Sequence, residues 1–278
     1  MKTLYVSDLD GTLLNSKGKV SEQTASILNK EIKQGAYFTV ATARTPATVV
    51  PLLEGVEINL PIIVMNGSFI YDIKQKKYIY TSTIPYDSVR RIINIVEEQE
   101  KQIFAYALKE DFLTVYYKGF NSKDEEAFYN GRKNLTLKRF EKVESYPITP
   151  ESQVGHMVML DSYEVIKKIT DQLEDVPGIK TLMYRDVNTE SSYLLEIAAE
   201  GTNKAEAAKY VAGQYEIDEV IAFGDNLNDM EMIQVADCGC AVGNAEKSLK
   251  ENANCVIDTN DNDGVARFIE MNRRALSA

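Results

Sequence analysis

Histidine and cysteine are scarce in this chain: there is one histidine, His156, and only three cysteines, Cys238, Cys240 and Cys255. A lone histidine argues against a Ser/His/Asp triad or a histidine-based zinc centre as the reaction engine. Its setting, Gly155-His156-Met157-Val158-Met159-Leu160, is that of a satisfied strand residue. The cysteines are odd in number and confined to one end, so they form no disulfide framework, and the Cys238/Cys240 pair fits a buried strand. No apolar run approaches the roughly 18 residues of a membrane helix, the longest, near Ile62, being broken by Asn66. The opening Met-Lys-Thr-Leu-Tyr-Val-Ser-Asp lacks a long apolar core and a cleavage site, so a cytoplasmic location is expected. Positive charge is in deficit, with 31 Lys and Arg against 42 Asp and Glu and a net charge of -11. That balance argues against nucleic-acid and anionic-membrane partners, because no basic stripe exists to neutralise phosphates. Repeats, low-complexity tracts and long Gly/Ser linkers are also missing.

What is present is an alternation of short apolar runs with segments of helical period, the pattern of a parallel sheet with crossover helices. At 278 residues two domains are expected. The first half predicts strands over 4–7, 37–41 and 62–65, helices over 22–34 and 46–53, and paired strands over 69–72 and 77–80. The middle third changes character. It predicts a helix from Pro85 with Val89, Ile92, Ile93 and Val96 on one face, strands over 104–108, 113–118, 156–160 and 182–185, and helices over 124–133 and 164–173. Past Ser192 the first pattern returns, with helices over 204–214, 229–235 and 245–252 and strands over 220–223, 239–242 and 256–257. The expected architecture is therefore α/β: a Rossmann-like parallel-sheet core of residues 1–82 and 193–278, interrupted by an inserted α+β domain at 83–192. The acidic runs Glu97-Glu98 and Asp124-Glu125-Glu126 read as solvated helix faces.

Four clusters fall at strand ends or helix starts, where an open α/β sheet forms its ligand crevice. Asp8 and Asp10 follow the run Leu4-Tyr5-Val6 and, at strand spacing, point to one side. Two ionised carboxylates about 4 Å apart repel by roughly 4 kcal/mol at an effective dielectric near 20. A divalent cation would offset this, and hard oxygen ligands select Mg²⁺. The plainer reading is a polar strand end before a glycine turn. Thr42-Ala43-Arg44 presents a hydroxyl and backbone N–H groups at a helix start, a favourable anion site. Lys204 opens a helix after Gly201-Thr202-Asn203, and Gly224-Asp225-Asn226-Leu227-Asn228-Asp229 closes a strand. Each has an alternative: an exposed helix lysine for Lys204, an Asx-capped turn for residues 224–229, an ordinary turn for Asn66-Gly67, and a core ion pair for Arg44.

These segments together resemble the haloacid-dehalogenase-like superfamily of phosphohydrolases, and within it the Cof-type members with a large α/β cap after the third core strand. The resemblance spans essentially the whole chain: DLDGTLL from Asp8, ATAR at Ala41 to Arg44, NGS from Asn66, Lys204, GDNLND from Gly224, AVGNA from Ala241 and Asp263-Gly264-Val265. It implies Asp8 as nucleophile toward phosphorus, giving an aspartyl-phosphate, and Asp10 as the acid and base serving the two half-reactions. It also implies Mg²⁺ on Asp8, Asp225 and the Asp10 carbonyl, with Asp229 holding a metal-bound water. Leu9, Thr42, the Ala43 amide, Lys204 and Asn228 would hold the phosphoryl oxygens. Two departures, Ala43 and Ala205 where glycine is common, predict a narrower pocket with the chemistry retained.

The expected function is a Mg²⁺-dependent phosphatase for small phosphorylated metabolites, sugar phosphates or nucleotides. Its only expected partner is a small phosphate ester, and the chain is expected to act as a monomer or small homo-oligomer. Two other readings stand: a phosphomutase that shields its aspartyl-phosphate from water, and a non-catalytic phosphate sensor, against which Asp10 argues. Residues 83–192 would close over the crevice and set specificity, with Tyr184 and Arg185 as candidate substrate contacts.

Overall fold

The computed structural model describes residues 1–186 and 192–276. The chain opens with β1 (Thr3–Ser7), α1 (Glu22–Lys33), β2 (Tyr37–Val40), α2 (Pro46–Leu52), β3 (Ile62–Val64), β4 (Phe69–Asp72) and β5 (Lys77–Thr81). The middle holds α3 (Tyr86–Glu98), β6 (Phe104–Lys109), β7 (Phe112–Tyr117), α4 (Lys123–Asn130), β8 (Lys138–Lys142), β9 (Gln153–Ser162), α5 (Tyr163–Leu173), β10 (Ile179–Arg185) and β11 (Ser192–Ala199). It ends with α6 (Lys204–Gln214), β12 (Glu219–Gly224), α7 (Met230–Val235), β13 (Cys238–Ala241), α8 (Lys247–Asn252), β14 (Cys255–Val256) and α9 (Gly264–Leu276). No helix among the described residues is long and apolar enough to cross a membrane.

The chain divides into two compact units. One comprises Met1–Ile79 with Asn203–Ala278, and the other Tyr80–Thr202. In the first, β14-β13-β12-β1-β2 form a parallel sheet, and β3 joins beyond β2 through a parallel bridge between Ala41 and Ile63. Every residue of β1 is buried, which accounts for its near-continuous apolar run. Local sequence sets the helix ends. The Ser21 hydroxyl caps α1 by accepting from Thr24 N–H at 2.9 Å, and Lys30 and Lys33 close its last turn, where cations suit the helix dipole. The chain leaves β1 toward β2 on one side and returns through β12, β13 and β14 on the other. The order therefore reverses between β1 and β12, and the crevice at their carboxyl ends is the ligand position for such a sheet.

The second unit is a six-stranded sheet, β10-β11-β9-β6-β7-β8, antiparallel except for the β7–β8 pair. Val89, Ile92 and Val96 of α3 and Ile166, Ile169 and Leu173 of α5 bury a common core with Ala105, Met157 and Leu195 of the strands. Phe128 of α4 instead stacks on Phe104, with ring centroids 5.8 Å apart.

Several expectations change here. The sequence pattern puts the insertion at 83–192, whereas the second compact unit runs from Tyr80 to Thr202, with β11 paired to β9 and β10 inside it. β8 escaped the sequence reading because Lys138-Arg139-Phe140-Glu141-Lys142 is mostly charged, as an edge strand tolerates. Glu125 is not solvated with its acidic neighbours. It is fully buried and accepts from Asn121 N–H and Gln102 Nε2, each at 2.6 Å. His156 lies buried on β9 with Glu196 3.8 Å away, a satisfied strand residue.

Ile169 is fully buried in the core of the second unit. Ile169→Ala is expected to cost about 2–5 kcal/mol, read as a lower urea midpoint.

Candidate active site

At the end of β1 the Asp8 N–H donates to Phe223 O of β12 at 2.9 Å, and the Ser7 hydroxyl donates to the Asp8 carbonyl at 2.7 Å. The chain then makes one wide turn over Leu9–Leu13, closed by Leu14 N–H donating to Leu9 O at 2.8 Å. Gly11 occupies the left-handed region at φ 77°, where a Cβ would lie 2.4 Å from Asp225 Oδ2. Glycine is thus required both for the backbone and for the approach of that carboxylate. Asn244 braces the turn from outside, its Nδ2 donating to Gly11 O at 2.7 Å.

The turn faces a buried charge network. Asn203 caps α6 by accepting from Glu206 N–H at 2.7 Å, which fixes where Lys204 begins the helix. Lys204 is 1% exposed and donates to Asp8 Oδ1 at 2.5 Å and to Asp229 Oδ1 at 2.7 Å. The other oxygen of Asp229 accepts from Asp225 N–H at 3.0 Å and Asn226 N–H at 3.1 Å. Thr12 Oγ1 donates to Asp225 Oδ1 at 3.1 Å. One ammonium thus serves a group of three carboxylates. Burial first, then Asp229 and Asp225, outweigh Lys204 and push the Asp8 pKa up to about 7. Burial and Asp229 push Asp225 up to about 6. Burial opposes the Lys204 charge, but the Asp8 and Asp229 carboxylates outweigh it and hold its pKa above the usual value.

Carboxylate oxygens of Asp8, Asp225 and Asp229 all lie within 4.8 Å of one another. An all-oxygen, excess-negative donor set of this kind suits Mg²⁺. The bare Gly11 Cα leaves Asp225 Oδ2 uncrowded, so the residues present fit such an ion.

The remaining expected residues have different placements. Asp10 stands outside the buried group, half-exposed, in a two-pronged ion pair with Arg44: Nε to Oδ2 at 2.6 Å and a terminal guanidinium nitrogen to Oδ1 at 2.7 Å. Arg44 thus pairs with Asp10. Ala41 N–H donates to Ser7 O at 2.8 Å, so the Thr42-Ala43-Arg44 loop leaves the sheet beside Asp8. Thr42 is buried and its Oγ1 accepts from Arg44 N–H at 3.2 Å. Leu9 is buried, while Ala43 and Asn228 are exposed. Lys204 is no exposed helix lysine. Residues 224–229 combine both readings, since Asn226 caps the turn while Asp229 is fully buried in the charge network. Asn66-Gly67 is not an ordinary turn either. Met65, Asn66 and Gly67 take φ of 51°, 53° and 93° in succession, and Gly67 packs where a Cβ would meet Asn203 O at 2.2 Å. Such backbone costs about 1–3 kcal/mol per non-glycine residue and is kept at functional sites. Asn66 Oδ1 is buried with no hydrogen-bond partner among the described residues. Thr12 and Asn244 lay inside quoted motifs, but their supporting bonds follow from tertiary contact.

Two outcomes test this network in EDTA. Lys204→Met strands Asp8 and Asp229 without a buried partner and is expected to cost about 3–5 kcal/mol in urea unfolding, whereas Asp8→Asn should be at least as stable as the parent. Between the unfolded carboxylate value of 3.8 and about 7, the folded chain holds protons that the unfolded chain has lost. The stabilisation from protonated Asp8 and Asp225 is therefore fully present below about 4 and lost as pH rises through 6 to 7. Melting curves against pH should show that decline, and Asp8→Asn should remove the part near pH 7 and leave the smaller part due to Asp225.

The family profile of haloacid dehalogenase-like hydrolases matches residues 5–269. Among characterised proteins, the chain is 28% identical to a 5-amino-6-(5-phospho-D-ribitylamino)uracil phosphatase, YitU, of Bacillus subtilis, covering 96% of each chain. It is 24% identical to the pyridoxal phosphate phosphatase YbhA of Escherichia coli, covering 94% of this chain and 95% of that one. Among solved structures, a haloacid dehalogenase-like hydrolase from Bacteroides thetaiotaomicron superposes with TM-score 0.77 at 27% identity, covering 98% of this chain and 99% of that one. A Thermotoga maritima protein at 21% identity shares the fold with the same TM-score of 0.77, over 98% of this chain and 97% of that one. With its profile match spanning core and insertion alike, and with Asp8, Lys204 and Asp225 gathered where the strand order reverses, the chain belongs to the haloacid dehalogenase-like hydrolases.

Proposed function

We propose that this hydrolase is a Mg²⁺-dependent phosphatase of small phosphorylated metabolites that works through an aspartyl-phosphate on Asp8. The observation that carries the reading is the Asp8 carboxylate, buried at the carboxyl end of β1, with one oxygen held by Lys204 and with Asp225 beside it. Its other oxygen forms a bond to phosphorus while the bond from phosphorus to the substrate alcohol breaks, and Asp10 gives its proton to the departing oxygen. Water then attacks the same phosphorus, Asp10 takes its proton, and the bond to Asp8 breaks to release phosphate. The Asp10–Arg44 pair is half-exposed, so the Asp10 carboxyl is within reach of solvent and substrate for this exchange once Arg44 gives way. Lys204 places Asp8 and supplies positive charge to the phosphoryl oxygens, a role shared with Thr42, the Leu9 and Ala43 amides and Asn228. Asp8, Asp225 and the Asp10 carbonyl would hold Mg²⁺, with Asp229 behind them, and the ion would supply neutralisation of charge at the phosphoryl group.

The insertion would choose the alcohol. Sugar phosphates and nucleotides are the favoured classes, in keeping with a relative named for a phosphorylated ribityl compound, while another is named for pyridoxal phosphate, which lies outside both. Tyr184, whose hydroxyl donates to Glu196 at 2.6 Å, and Arg185 remain the candidates for that choice.

Phosphate release from a panel of esters is the test. Release with Mg²⁺ is expected, none with EDTA or in Asp8→Asn, and a loss of at least about 10²-fold in Asp10→Asn. Undiminished release from Asp8→Asn would overturn the covalent route, and dependence on a bisphosphate activator would indicate a mutase.

A further inference from the structure

A second cluster of metal-ligating side chains lies in the parallel sheet, apart from the carboxylates. Cys238 and Cys240 are two residues apart on β13 and so face one side of the sheet. Cys255 on β14 is the direct partner of Cys240 in the strand register. The Cys240 sulfur lies 3.8 Å from that of Cys238 and 3.1 Å from that of Cys255, and all three lie within 4.8 Å of one another. Cys240 is buried, the other two are half-buried, and none is in a disulfide.

We propose that Cys238, Cys240 and Cys255 form a second metal site, taking one thiophilic d10 cation of the Zn²⁺ or Cu⁺ class. A metal–sulfur bond of about 2.3 Å places sulfurs about 3.8–4.0 Å apart around a tetrahedral or trigonal ion. The Cys238–Cys240 spacing already matches, and a small side-chain rotation brings Cys255 into place. Sulfur and oxygen donors sort cations by softness, so this site takes zinc or copper(I) in the presence of Mg²⁺, and the carboxylates take Mg²⁺. A disulfide would use two of the three sulfurs and leave the third without a role. Binding moves no electrons: three S–H bonds break, three metal–sulfur bonds form, and three protons pass to solvent.

The position gives the ion a mechanical consequence. β14 is a two-residue edge strand. The segment after it carries Asn260, whose N–H donates to Asn244 Oδ1 at 3.0 Å, and Asn244 braces Gly11 in the Asp8–Asp10 turn. A cation joining β14 to β13 stiffens that support. The site stands independently of the phosphatase reading.

The test uses the full chain, reduced and stripped with chelator, then given Zn²⁺ in the presence of excess Mg²⁺. Expected are one zinc retained per chain after gel filtration, a sulfur-to-metal charge-transfer band when Co²⁺ replaces Zn²⁺, and protection of the thiols from alkylation. Asp225→Asn should keep all three signals. Cys240→Ala should lose them, and Cys238→Ser, at a half-buried strand start where folding is less at risk, should weaken zinc at least about tenfold. The proposal is overturned if wild type retains no zinc, if both cysteine variants bind as wild type does, or if zinc is lost in Asp225→Asn. It is equally overturned if the chain as purified, before reduction, holds no zinc and proves lighter by a pair of hydrogens, with Cys240 joined to Cys255.

Discussion

The Lys204 ammonium, held between Asp8 and Asp229, is the contact on which the rest of the buried charge network depends. It links the first residue of α6 to the end of β1 and to the turn after β12, three segments far apart in the chain. A buried pair of this kind adds little to stability compared with an apolar core, but losing one partner leaves a charge stranded. That asymmetry makes the arrangement hard to vary piecemeal. It also leaves an excess of negative charge among buried groups, since Asp225 stands beside the pair with no cation of its own in contact among the described residues.

Asp229 shows how such a centre is built from the backbone outward. One oxygen receives Lys204 and the other receives two successive N–H groups at the end of β12, so this fully buried carboxylate orients both the ammonium and the peptide that presents Asp225. Gly224 permits this closeness, since a Cβ there would sit 2.5 Å from the Asp229 Cβ. The half-exposed Asp10–Arg44 pair stands in contrast, open to solvent and held from one side by a single two-pronged guanidinium.

Much of this was legible from sequence because it rests on local pattern. The buried parallel strands read as apolar runs, and their order, with acidic and hydroxyl residues at the ends, pointed to one crevice. Elements whose pattern is set by distant partners were not legible. β8 is charged because it lies at a sheet edge, and β11 looked like renewed core until its pairing with β9 and β10 was seen. Glu125 sits within an acidic run on α4, and only its contacts with Gln102 and Asn121 show that it is buried.

The sequence by itself determined the α/β class, the interrupted core and the strand-end placement of the carboxylates that the fold gathers, because residue spacing and strand or helix period are properties of neighbours along the chain. Tertiary structure alone decided that Arg44 meets Asp10, that Lys204 is buried between two acids, and that three cysteine sulfurs converge on adjacent strands. Those facts depend on register and burial, and both arise only when segments remote in sequence pack against one another.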